Sequence, residues 1–107
     1  MNDKLLKIIN HYGIDKQLKY IHSEYFELDE AIIDYKYVEV YKGSPAEKYH
    51  KEHIAEEIAD ILVMLKQFQY HYEIDDSTIE NIMNQKIDRQ IDRIEKDVLK
   101  NENNRKI

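Results

Sequence analysis

A chain of 107 residues, 42% hydrophobic and 36% charged, has the length of one domain and enough apolar material for a core, which excludes disorder along its whole length. Its net charge of -6, with basic residues clustered only towards the C-terminus, excludes an extended footprint for duplex nucleic acid. The absence of cysteine removes disulfides, thiolate metal sites and cysteine nucleophiles; with no membrane-length apolar run and no signal-like segment after Met1, the expected location is the cytoplasm.

Two glycines and one proline leave few residues for strands and tight turns, so helices are expected throughout. The first spans residues 2 to 11, with Leu5, Ile8 and Ile9 on one side, and ends at Gly13, a residue suited to a positive-φ terminus. Asp15 then offers a cap for a second helix over about 15 to 41. Its stripe is Leu18, Ile21, Tyr25, Leu28, Ile32 and Tyr35 at three- and four-residue steps.

Gly43-Ser44-Pro45-Ala46-Glu47 is the clearest break: Ser44 caps, Pro45 suits the first helical position, and Glu47 completes a capping box. The third helix carries Ile54, Ile58, Ile61, Leu65, Phe68 and Tyr72, and its middle, Ile61 to Leu65, is apolar beyond one stripe, as expected of a central element. Ser77 and Glu80 form a second box that opens a fourth helix with Ile79, Met83, Ile87, Ile91, Ile94 and Val98. The expected fold is all-α: an antiparallel bundle of one short and three long helices over residues 1–100, with a polar, frayed tail over 101–107. So short a domain with so apolar a third helix also leads us to expect self-association.

Glu24 and Glu27 lie three residues apart beside the apolar stripe of the second helix, and Glu57 and Asp60 repeat that spacing where the third helix enters its apolar middle. Any one such pair, among 22 acidic residues, reads as solvated surface charge. Two pairs on facing helices are different, because crowded carboxylates near a core repel one another unless a cation offsets the charge. All-oxygen ligation suits Mg2+, with Mn2+ as a substitute, and Mg2+ bridges carboxylates to phosphates. Lys86, Arg89 and Arg93 form a cationic row on the fourth helix; alone it is a salt-bridged surface, but beside a metal site it could meet phosphate oxygens. Glu47 and His50 match the Glu-x-x-His spacing of di-iron bundles, but that chemistry needs a second copy, which is missing. His53, four residues before Glu57, reads first as a polar surface histidine.

These residues resemble the MazG-like, all-α nucleoside triphosphate pyrophosphohydrolases, which carry Glu-x-x-Glu and Glu-x-x-Asp on two helices. Glu24-Tyr25-Phe26-Glu27-Leu28 looks like the first signature, with Gly13 and Gln17 leading into it. Glu56-Glu57-Ile58-Ala59-Asp60-Ile61-Leu62 is similar to the second, and Lys86, Arg89 and Arg93 resemble the closing basic run. The resemblance implies that Glu24, Glu27, Glu57 and Asp60 hold Mg2+ and carry catalysis, and that Lys86, Arg89 and Arg93 bind the substrate's phosphates. A nucleoside triphosphate is then cut to monophosphate and pyrophosphate by a homodimer or homotetramer. The alternative is a non-enzymatic helical-bundle interaction module with carboxylates only on its surface.

Overall fold

A computed structural model describes residues 2–105, and every element in it is an α-helix: α1 (Asn2–Tyr12), α2 (Ile14–Lys36), α3 (Pro45–His71) and α4 (Asp76–Arg105). The chain divides into two compact units at Glu73/Ile74. No helix among the described residues is long and apolar enough to cross a membrane.

In the first unit Gly13 joins two helices with no loop between them. Its N–H donates to the Ile9 carbonyl at 2.7 Å, its own carbonyl accepts from Gln17 N–H at 3.1 Å, and its φ of +87° is one that a side chain would resist. Asp15 therefore sits inside the first turn of α2 and is not the cap; the backbone of Gly13 takes that place, with no side-chain cap bond.

α2 stops at Lys36, short of the expected 41. Tyr37, Val38, Tyr41 and Ser44 each donate to the carbonyl three residues back, so residues 37–44 form successive tight turns. The cap of α3 explains the early end. Ser44 Oγ accepts from Glu47 N–H at 3.1 Å, while the Glu47 carboxylate accepts from Gly43 N–H and from the Tyr35 hydroxyl, both at 3.1 Å. The Ser44 half of the capping box is thus present; the Glu47 carboxylate takes the N–H of Gly43 instead of that of Ser44, which is bonded to Tyr41, and through Tyr35 it ties the last turn of α2 to the first turn of α3. The Gly43 N–H, foremost among the causes, holds the Glu47 carboxyl below its usual range. Glu47 is spent on this cap, which removes it as a di-iron ligand.

α3 packs against both α1 and α2. Gln17 pairs with Gln67, Glu24 lies near Glu57 and Asp60, and Tyr35 reaches Glu47, so α2 and α3 run antiparallel. The expected Ile21 and Ile61 are buried, but around them the seams are shifted one residue back, taking in Gln17, Glu24 and Glu57 in place of Leu18, Tyr25 and Ile58. On α2 the seam is Gln17, Ile21, Glu24 and Ala31, with Leu18, Tyr25 and Ile32 exposed; on α3 it holds Glu57, Ile61 and Met64, with Ile58 and Leu65 exposed. The buried aliphatic side chains Ile9, Ile21, Ile61 and Met64 contribute about 1.5–3 kcal/mol each by the usual value for full burial. Among them lies a buried amide pair, Gln17 Nε2 donating to Gln67 Oε1 at 2.9 Å, whose bond offsets the cost of removing both amides from water.

The second unit is α4 with its preceding turn. The helix begins at Asp76, with Ile79 N–H bonded to the Asp75 carbonyl, so Ser77 lies within the helix and the Ser77–Glu80 box is not its cap. Helix also continues through Arg105, where a frayed tail was expected from 101 onward, and residues 106–107 of that expected tail lie outside the described part. No residue of α4 is buried.

Candidate metal centre

The seam of α2 and α3 carries two acids where aliphatic residues would ordinarily sit. Glu24 is 4% exposed and Glu57 8% exposed. One carboxylate oxygen from each of Glu24, Glu57 and Asp60 lies within 4.8 Å of the others. Asp60 stands at the exposed edge of this trio. Glu24 Oε2 and Glu57 Oε2 are buried with no hydrogen-bond partner. Unpartnered carboxylate oxygens in a seam are costly, and acidic oxygens gathered so closely repel one another.

Proton affinities follow from that crowding. The Glu24 carboxyl is pushed above its usual range by desolvation first and then by the charges of Glu27 and Asp60, although a hydrogen bond from the Tyr20 hydroxyl opposes the rise. The same bond, with the Glu24 charge, raises the Tyr20 hydroxyl. Glu27 is exposed and stands outside the close trio; desolvation first, then the neighbouring Glu57 carboxylate, raises its carboxyl too.

Of the seven expected site residues, the fold brings Glu24, Glu57 and Asp60 into one cluster and sets Glu27 beside Glu57. Lys86, Arg89 and Arg93 are exposed on α4, and the acidic cluster is complete without them. Two further side chains join the acids. Tyr20 bonds Glu24, and His53 Nε2 lies 3.2 Å from Glu57 Oε1. Each precedes its glutamate by four residues, one helical turn; the sequence already showed that spacing for His53, and the same spacing is the signal that could have identified Tyr20.

The cluster opens onto solvent through a groove of about 190 Å3 lined by Tyr20, Glu24, Asp60, Val63 and Met64. A second groove of about 360 Å3 shares Tyr20, Val63 and Met64 with it and adds Ile8, Tyr12, Lys16, Gln17 and Gln67. A charged, oxygen-rich end thus adjoins an aromatic and amide-lined one. The donor set fits a hard divalent cation: carboxylate oxygens from two facing helices, two of them buried and lacking any other partner.

The chain matches no family model, no curated protein and no solved structure.

Proposed function

We propose that this chain is a Mg2+-dependent nucleoside triphosphate pyrophosphohydrolase of the MazG-like, all-α kind. The observation that carries the reading is the convergence of Glu24, Glu57 and Asp60, with buried and unpartnered oxygens on both glutamates. Those three residues hold the cation, with Glu27 beside Glu57 to complete the acidic set. Mg2+ or Mn2+, when bound, supplies positive charge to the phosphate oxygens and acidifies water. Around it, Glu24 and Glu57 are held by Tyr20 and His53, and the aromatic and amide-lined groove next to Asp60 offers room for a base and sugar. The phosphate-binding role of Lys86, Arg89 and Arg93 rests on the sequence resemblance.

In this reaction water attacks the α-phosphorus, the bond to the α,β-bridging oxygen breaks, and that oxygen departs with pyrophosphate. Hydrolysis of a panel of standard and damaged triphosphates in 18O-labelled water is therefore expected to place the label in the monophosphate and none in pyrophosphate. Nucleoside diphosphate and free phosphate as first products would refute the reaction even if it required Mg2+. A helical interaction module would release neither set of products.

Self-association belongs to the same proposal. Leu62, Val63 and Leu65 on α3 and Ile87, Ile91, Ile94 and Val98 on α4 are exposed, which is more large apolar surface than a short monomeric chain ordinarily presents. Sedimentation at micromolar concentration is expected to give a dimer or tetramer, and a monomer at that concentration would refute this part.

A further inference from the structure

Glu57 makes one contact and lacks another. Its Oε1 is 3.2 Å from His53 Nε2, one turn earlier on α3, while its Oε2 is buried with no partner. A carboxylate oxygen accepts, so in a hydrogen bond across this distance His53 donates from Nε2. The terminal torsion of a glutamate is broad and roughly two-fold, so a carboxylate without such an anchor samples orientations that exchange its two oxygens. With Oε1 engaged, Oε2 is the oxygen left for a ligand. His53 is also well placed to act without being part of the core: its side chain is 38% exposed, and the Tyr49 ring stands 6.5 Å from it, centroid to centroid.

We propose that His53 is a positioning residue that holds Glu57 by Oε1 and so presents Oε2, together with Glu24 and Asp60, to a divalent cation. The inference rests on the reading of that trio as a cation site, and it extends that reading to a residue that does not itself touch the metal. Partners of this kind, standing behind a ligand, typically govern metal affinity by about 10–100-fold.

The test is Mn2+ binding to the full chain, followed by the loss of the free-ion electron paramagnetic resonance signal, with circular dichroism on each variant. His53→Ala is expected to weaken Mn2+ binding by about 10–100-fold at unchanged helical content. His53→Gln, whose side-chain N–H sits near the place of Nε2, is expected to restore most of the affinity. His53→Leu keeps the bulk without the donor and is expected to behave as the alanine variant, which preserves the comparison if alanine unfolds the chain. Wild-type affinity in the alanine and leucine variants, or a glutamine variant as weak as they are, would overturn the role of His53 alone. A wild-type chain that binds no Mn2+ would overturn the cation site itself.

Discussion

Glu57→Gln and Asp60→Asn are each expected to lower Mg2+-dependent pyrophosphate release by about 1000-fold or more, equivalent to ~4 kcal/mol of lost transition-state stabilisation. Each substitution removes one negative charge from a three-carboxylate cluster while keeping nearly the same shape, so cation affinity falls and the helices stay. Folding loses repulsion among the acids, and at position 57 the glutamine carbonyl keeps an acceptor for His53. The measurement is kcat/KM across a Mg2+ titration, paired with the shift in Tm that Mg2+ produces, which follows ligand affinity by mass action. Wild-type turnover in either variant would refute the catalytic assignment, and a wild-type chain whose Tm ignores Mg2+ would refute the metal centre.

Glu24→Gln should show the opposite sign for stability and for function. The folded-state carboxyl of Glu24 is raised above its unfolded value, by desolvation first and then by the charges of Glu27 and Asp60. A raised acid favours the folded state while protonated, below its unfolded pKa. That contribution is lost as pH rises through the folded pKa, so at neutral pH the ionised group works against folding. Glutamine has no such charge. In chelator, the variant is therefore expected to melt above the wild type at neutral pH, and the gap should shrink as pH falls into the carboxylate range and Glu24 takes up its proton. The Tyr20 hydroxyl, which bonds Glu24, and the neighbouring Glu27 and Asp60 titrate in the same field, so the signature is the pH dependence of the difference between the two proteins. Adding Mg2+ should reverse the order, because only the wild type offers the full ligand set. A variant less stable than wild type in chelator at neutral pH would show that Glu24 is a structural acid satisfied by Tyr20.

Helix content, the break at Gly43 and the Ser44–Pro45–Glu47 cap were legible in the sequence because they depend on residues a few positions apart: a hydroxyl three residues before a carboxylate, a proline where no N–H is needed, a glycine where φ turns positive. The pairing of acids at three-residue spacing was legible for the same reason, since one helical turn relates them. A local signal failed at the start of α4: Ser77 and Glu80 have the spacing of a capping box, yet the helix already begins at Asp76 and the Ile79 N–H bonds to the Asp75 carbonyl.

Only the tertiary structure decided which face of each helix is buried. A reading by hydrophobicity places Tyr25 and Ile58 inside, whereas the packed seam turns one residue back to enclose Glu24 and Glu57. Apolar periodicity is blind to a buried acid, because the force that keeps it there comes from contacts across the interface and from whatever compensates its charge, neither of which is a property of the residue's own neighbours in sequence. The same holds for the division between Glu24, enclosed in the trio, and Glu27, exposed at its side. The sequence determined by itself that this is a helical chain with two acidic pairs near its apolar stripes. Packing of α2 on α3 determined that three of those carboxylates share one small space, because that depends on which turn of one helix lies opposite which turn of the other.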